Sequence, residues 1–326
     1  MKGIILHGGR GTRLRPLTHT GPKQLIPVAN KPISQHVLES ILQCEIEEVA
    51  MVLGNIFPEK VREHYGDGSE FGAKITYVAQ GEPRGIAHAI GMCQEFTGDS
   101  PFVACLGDNL FKGGIKPFVK EFQTSNSEGM VILSEADDPQ RFGVARFDEE
   151  GRFVGVVEKP KFPPSSYALT GVYLFKPTVF EMIRRLKPSS RNELEITEAI
   201  QLLIDNNYTV DHSFVEGWWK DTGTCEDILE SNRLVLDEVE FQNSEIDMNS
   251  KIKGKMNTGL GCEISSEAVI KGPVVLGDKV EIGDAVYIGP YTSIGNSVTV
   301  RRGEIENSVV MDHCYIDIDD RITSSL

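Results

Sequence analysis

No stretch of the 326-residue chain approaches the roughly 20 consecutive apolar residues that a membrane-spanning helix needs. Its start, MKGIILHGG, runs into glycine and arginine rather than into the apolar centre and small-residue cleavage site of a secretion signal. The six cysteines (Cys44, Cys93, Cys105, Cys225, Cys262, Cys314) contain no CxxC pair, and no histidine stands at a zinc-ligand spacing. A disulfide framework and a structural zinc are thereby disfavoured, and the reducing cytoplasm is the expected location. Positive charge is scarce as well: 33 Lys+Arg stand against 48 Asp+Glu, a formal net charge of −15. A nucleic-acid binder would carry a basic patch or stripe, so neither nucleic acid nor a membrane is an expected partner. What is present describes a globular protein of one large or two smaller domains, with 40% hydrophobic and 25% charged residues.

Through the first two-thirds, apolar runs alternate with helical spacing. Gly3–Leu6, Val49–Leu53, Ile75–Val78 and Phe102–Leu106 read as buried parallel strands, with helices over Ile33–Ile46, Glu59–Tyr65, Ile86–Phe96 and Ile115–Phe122. Such alternation predicts an α/β fold with a doubly wound, Rossmann-like sheet. Further strands are expected at Gly129–Ser134, Gly143–Phe147, Val154–Val157 and Gly171–Phe175, with Asp148-Glu149-Glu150-Gly151 as a hairpin turn that makes the sheet mixed. Ile196–Ile204 and Cys225–Val239 have helical spacing, and the second closes a first domain over residues 1–240.

From Ile264 the period changes. Ile264, Ile270, Leu276, Ile282, Ile288, Ile294 and Val300 recur every six residues; Ala268, Val274, Val280, Val286, Thr292 and Val298 each follow four later. Gly277, Gly283, Gly289 and Gly295 sit directly after four of those aliphatics. A period of six fits neither a helix nor a plain sheet, and predicts a short parallel β-helix of hexapeptide repeats over residues 241–326. After Val300 the register slips, and the end at Ser324-Ser325-Leu326 shows no cap, which suggests a covering partner or a truncation. The preferred role for this part is homo-oligomerisation or regulation, and a chain cut near residue 242 is then expected to stay catalytic but become monomeric. The competing role is an acyltransferase, against which His313 is the sole histidine available there as a base.

The chemistry concentrates in Leu6-His7-Gly8-Gly9-Arg10-Gly11-Thr12-Arg13-Leu14-Arg15-Pro16-Leu17-Thr18, directly after the first strand. That is where open α/β sheets bind ligands. Leu14 occupies the third glycine site of a dinucleotide fingerprint, and no Gly-Lys-Ser/Thr completes a Walker loop. What remains is a glycine loop with arginines, suited to phosphate through backbone N–H groups and guanidinium forks. From Met1 to Leu38 there are six cations (Lys2, Arg10, Arg13, Arg15, Lys23, Lys31) and no Asp or Glu, an acid-free stretch that calls for an anionic partner.

Together with Pro22-Lys23-Gln24-Leu25-Ile26-Pro27-Val28, this segment resembles the signature of sugar-nucleotide pyrophosphorylases, in particular the long glucose-1-phosphate thymidylyltransferase type with a C-terminal left-handed hexapeptide β-helix. The likeness runs from residue 1 to about 240, and the repeats extend it further. The family usually has Ala where His7 stands, so His7 is expected to pack near the strand end and not to react.

The resemblance implies a nucleoside triphosphate site (dTTP or UTP) at Leu6, Gly8, Gly9, Gly11, Thr12, Arg13, Gln80, Gly85 and Asp108. Gln80 would hydrogen-bond the base, as an amide can at a pyrimidine edge, and Gly85 would leave room for its face. Mg²⁺ is implied at Asp108, in Leu106-Gly107-Asp108-Asn109, and at Asp221, in Trp218-Trp219-Lys220-Asp221-Thr222. A hexose-1-phosphate would meet Lys23, Gly143, Glu158, Lys159, Gly171 and Arg191. Arg13, Lys23 and Asp108 are the implied catalytic set. Trp219 reads equally as a stacking residue or a buried indole. A non-catalytic sensing or assembly subunit would have lost such charged residues, and all of them stand in their motif positions here.

Overall fold

A computed structural model describes residues 1–9, 11–240 and 251–326. The chain divides into two compact units, Met1–Leu25 with Ser34–Asp221, and Ile26–Ile33 with Thr222–Leu326.

The first unit is built on a nine-stranded sheet. Its central strand, Lys2–His7, lies parallel to Glu48–Leu53 on one side and to Phe102–Leu106 on the other, and Lys74–Ala79 continues the parallel set. The inner runs Gly3–Leu6, Val49–Leu53 and Phe102–Leu106 are apolar at successive positions because both of their faces are covered. Ile4 and Leu6 join one core with Ala50, Val52 and Ala104, while Ile5 joins the other with Met51, Val103 and Cys105. Tyr167–Phe175 adds antiparallel to Phe102–Leu106, and Gly143–Phe147 and Phe153–Glu158 form the expected hairpin, turning at Asp148, whose carbonyl accepts from Gly151 N at 3.0 Å. Gly129–Glu135 pairs with Tyr167–Phe175, and Val210–Phe214 lies parallel to Gly129–Glu135. The result is the doubly wound mixed sheet anticipated above. The chain steps outward from Lys2–His7 in one direction and returns to its other side at Phe102–Leu106, so the winding reverses between these two strands. A crevice opens at the carboxyl ends of strands that flank such a reversal.

Some elements differ from their sequence expectation. The helix expected over 86–96 is two pieces, Ile86–Gly91 and Gln94–Thr97, and the one expected over 33–46 ends at Leu42. The helix Val179–Arg185, the strand Val210–Phe214 and the short strands Asn109–Phe111 and Trp219–Asp221 had no usable periodicity. Among the described residues no helix is long and apolar enough to cross a membrane, and the six cysteines are all free thiols.

The second unit contains the hairpin Pro27–Val28/Lys31–Pro32, the helix Cys225–Glu238 and a stack of short parallel strands. Thr224 starts the helix with a capping box: its hydroxyl accepts from Asp227 N at 3.2 Å, while Asp227 Oδ2 accepts from Thr224 N at 2.9 Å. The strands pair residues three hexapeptides apart, Met256 with Val274, Val274 with Thr292 and Glu263 with Glu281, which is one triangular coil of the left-handed parallel β-helix. Ala268, Ile270, Val274, Leu276, Val280, Ile282, Val286, Ile288, Ile294, Val298 and Val300 fill its axis, none more than 3% exposed. The slip after Val300 is a shorter coil: Ser293 pairs with Val309 and Thr299 with Tyr315, two residues fewer per turn. The coil also begins earlier than its repeat is legible, at Lys251–Lys253 and Met256–Thr258, where lysines interrupt the aliphatic pattern. Residues 241–250, placed at the start of the repeat region from sequence, lie outside the described residues.

Candidate active site

The strand Lys2–His7 delivers the chain into the glycine loop. Gly9 and Gly11 have φ of +90° and +58°, and a Cβ on Gly11 would stand 2.8 Å from Thr18 Cγ2 and 3.3 Å from Lys23 Cβ. The loop is tied from behind: Thr18 Oγ1 donates to Gly11 O at 2.8 Å, and Gln24 Nε2 donates to Gly8 O at 2.7 Å. Thr12-Arg13-Leu14 makes one 3-10 turn that buries Leu14 and leaves Arg13 exposed. Lys23 runs beside the loop, its Cε 3.7 Å from where a Gly9 Cβ would be, and its ammonium pairs with the Asp108 carboxylate. Burial disfavours that ammonium, but Asp108 and then Asp221 outweigh burial and hold its pKa above the ordinary lysine value.

Asp108 follows the neighbouring strand. Gly107 N donates to Leu6 O at 3.0 Å, which keeps the turn against the central strand. Asn109 Nδ2 donates to Asp108 Oδ1 at 3.0 Å, and Trp219 Nε1 donates to Asn109 Oδ1 at 2.6 Å. The pairing of Asn109–Phe111 with Trp219–Asp221 sets Asp221 opposite Asn109. This two-strand ladder therefore sets Asp221 opposite the residue after Asp108, and both carboxylates act on Lys23, a proximity that no local pattern in the sequence reports. The donor set, two carboxylates around one ammonium, fits Mg²⁺, which takes one or two protein carboxylates and completes its shell with water and phosphate oxygens. Among the described residues no group of three or more His, Cys, Asp or Glu gathers as an all-protein cage.

On the other flank, Gln80 is 8% exposed, and its Nε2 donates to Gly85 O at 3.3 Å. Its Oε1 lies 3.8 Å from where a Gly8 Cβ would stand, so the amide faces the glycine loop. Gly85 has φ of +99°, and a Cβ there would lie 2.5 Å from Leu194 O. The missing side chain thus makes way for the Leu194 backbone, whose N donates to Arg84 O at 2.7 Å and whose O accepts from Ala87 N at 3.2 Å.

A cavity of about 210 Å³ is lined by Arg13, Asn109 and Asp221 together with Gly143, Glu158, Lys159, Gly171, Arg191, Thr197 and Trp219. Gly143 is required by Thr197, whose Cγ2 would be 2.7 Å from a Cβ; Gly171, at φ +80°, would place one 2.6 Å from Leu106 Cδ1. Thr197 Oγ1 donates to Glu158 Oε2 at 3.1 Å, while Glu158 Oε1 lies 3.3 Å from Arg191 Nη2 and 3.9 Å from Lys159 Nζ. Burial, then the Glu195 charge, raise the Glu158 pKa above the usual carboxylate range despite Arg191 and Lys159. Trp219 lines this cavity half-buried, edge-on to Phe142 at 5.1 Å.

The sequence-marked cations do not all converge. Lys2 starts the central strand, at the opposite end from the loop, and pairs with Glu48 at 3.5 Å; Lys31 belongs to the hairpin of the second unit. Arg10 lies outside the described residues. His7 packs at the strand end, edge-on to Tyr65 at 6.1 Å. Sequence reasoning passed over Gln24, Asn109, Thr197 and Glu195, although each stands inside a run singled out for its neighbours.

Residues 2–238 match the family described as Nucleotidyl transferase. The low-salt glycan biosynthesis nucleotidyltransferase of Haloferax volcanii is 44% identical over 100% of this chain and 92% of its own length. The glucose-1-phosphate thymidylyltransferase of Streptomyces antibioticus is 42% identical over 100% of this chain and 91% of its own. Among solved structures, a provisionally named glucose-1-phosphate thymidylyltransferase from Bacillus anthracis, in complex with sucrose, aligns with a TM-score of 0.69 at 40% identity, covering 74% of this chain and 98% of that one. With a family match that runs through the whole sheet and relatives above 40% identity that span the entire chain, this protein belongs to the nucleotidyl transferase family.

Proposed function

We propose that the chain makes a nucleotide sugar and pyrophosphate from a hexose-1-phosphate, glucose-1-phosphate foremost, and dTTP or UTP, with residues 1–240 carrying the reaction. One observation carries this reading: a single cavity is lined at once by Arg13 and Asp221 from the glycine-loop side and by Glu158, Lys159 and Arg191 from the other. A phosphate-binding end and a polar, hydroxyl-accepting end in one enclosure suit two phosphorylated substrates set for in-line reaction. The names of the Streptomyces and Bacillus relatives point to the same substrates.

In this mechanism an oxygen of the sugar phosphate forms a bond to the α-phosphorus as the bond to the β-phosphate oxygen breaks. The nucleophile is already an anion, so no general base is needed, and positioning and charge neutralisation do the work. Leu6, Gly8, Gly9, Gly11 and Thr12 hold the triphosphate by backbone, and Arg13 neutralises the departing pyrophosphate. Lys23 bridges the α-phosphate and the sugar phosphate. Asp108 and Asp221 would hold Mg²⁺, which when bound would supply positive charge beside the triphosphate. Gln80 and Gly85 meet the base, Glu158 accepts from sugar hydroxyls, Lys159 and Arg191 bind the sugar phosphate, and Gly143 and Gly171 bring backbone to the ring. dTTP and UTP differ at the base by one methyl, worth roughly 1–3 kcal/mol, so use of both is expected. The same reading places the enzyme in the cytoplasm and has it associate with copies of itself through the β-helix or the catalytic part.

Pyrophosphate release measured with Mg²⁺ over a matrix of triphosphates and sugar phosphates tests it. Glucose-1-phosphate with dTTP or UTP is expected to be turned over best, and Asp108→Asn and Arg13→Ala each to lower the rate about 10²–10³-fold with the fold intact. Near-wild-type release by either variant would sink the assignment.

A further inference from the structure

We propose that Glu195 is a positioning residue for the sugar-phosphate side of the site, acting through Arg191; the inference rests on the reading of that cavity given above. Glu195 occupies the N-cap position of the helix Ile196–Asp205, yet its side chain makes no capping hydrogen bond. Both of its oxygens turn to Arg191 instead: Nε donates to Oε1 at 3.1 Å and Nη2 to Oε2 at 2.9 Å. The carboxylate is itself fixed, 4% exposed and accepting from Ser189 Oγ at 2.7 Å. A two-point grip on one edge of a planar guanidinium sets its orientation, which a single contact does not.

The grip has a competitor. Glu158 Oε1 lies 3.3 Å from the same Nη2, and Glu158 is the group assigned to the sugar hydroxyls. The more exposed Glu193 also reaches Nη2, at 2.9 Å. Nη1 has no acceptor among the described residues, on an arginine that lines the cavity. Glu195 therefore keeps Arg191 from pairing with Glu158 alone and leaves one donor nitrogen for a ligand anion. Without the Glu195 charge, Arg191 settles onto Glu158, and two contacts to the sugar phosphate are lost together.

The test is steady-state pyrophosphate release by the full chain carrying Glu195→Gln, Arg191→Ala or both. Glu195→Gln is expected to raise KM for glucose-1-phosphate about 10- to 100-fold, the effect of losing a hydrogen bond to a charged group, while KM for the triphosphate stays near wild type. In the double variant the two losses should fall well short of additive. An unchanged sugar-phosphate KM in Glu195→Gln, equal rises in both KM values, or additive losses would overturn the proposal. Should Glu195→Gln fail to fold, Ser189→Ala loosens the same carboxylate, with a rise of about 2- to 10-fold expected and no rise counting against the idea. If Arg191→Ala itself leaves the sugar-phosphate KM unchanged, the reading of the cavity fails instead.

Discussion

His7 is a buried imidazole, 5% exposed, with no hydrogen-bond partner for either ring nitrogen among the described residues. Burial drives its pKa down to about 4, against an upward pull from Asp108. In the unfolded chain the ring titrates near pH 6.5. Between those values the unfolded chain takes up a proton that the native protein refuses, so stability is fully present above about pH 6.5 and drains away as pH falls toward 4. From pH 7.5 to 4.5 the stability difference between wild type and His7→Ala should move in favour of the variant by about 2 to 3 kcal/mol, read from urea unfolding at each pH. A constant difference would show that His7 is solvated or paired. The expectation that this side chain packs rather than reacts came from the alanine that the resembled family usually has there, and the side chain is buried at the strand end. Gly85 shows the limit of such reading. That a glycine is needed there was legible from its motif, but its partner is the Leu194 backbone, distant in the chain, and no local pattern records a close approach of that kind.

Elements of three residues hold the carboxylates in place. Long apolar runs and sixfold repeats expose their geometry to a sequence reader, because burial imposes a period on them. Asn109–Phe111 and Trp219–Asp221 are too short to carry one, and only the fold reveals that they pair. The expectation that Asp108 and Asp221 share a metal rested on resemblance alone for that reason. The ladder also explains Trp219, whose Nε1 holds Asn109 Oδ1 at 2.6 Å while Asn109 holds Asp108. Trp219→Phe keeps a ring edge-on to Phe142 and removes only this donor. With the outer partner of the carboxylate proposed to hold the metal freed, the Mg²⁺ concentration for half-maximal rate should rise about tenfold, with the melting temperature little changed. A Mg²⁺ requirement equal to that of wild type would mean that Asn109 orients Asp108 unaided.

At the scale of the molecule, motif and contact divide the chain differently. The pyrophosphorylase-like motifs end near residue 240, which makes the β-helix look like an appendage that can be cut away. Within the second unit, however, the coil supplies partners to segments from far earlier in the chain. Asn232, fully buried on the helix Cys225–Glu238, accepts from Ala29 N at 2.8 Å and from Ser293 Oγ at 2.7 Å, and donates to Tyr291 O at 3.1 Å. Asn30 Nδ2 donates to Ile294 O at 2.6 Å. The hairpin that carries Ala29 and Asn30 begins a few residues after Lys23, so loosening it bears on the segment proposed to hold the phosphates. A chain ending at residue 240 strips both amides of their coil partners, and each hydrogen bond so lost costs about 0.5–1.5 kcal/mol. Contrary to the expectation from motifs alone, the shortened chain should melt well below the full protein and lose most of its pyrophosphate release. Asn232→Ala in the full chain should reproduce part of that loss of stability. If the shortened chain melts and turns over like wild type, the coil is dispensable to the reaction.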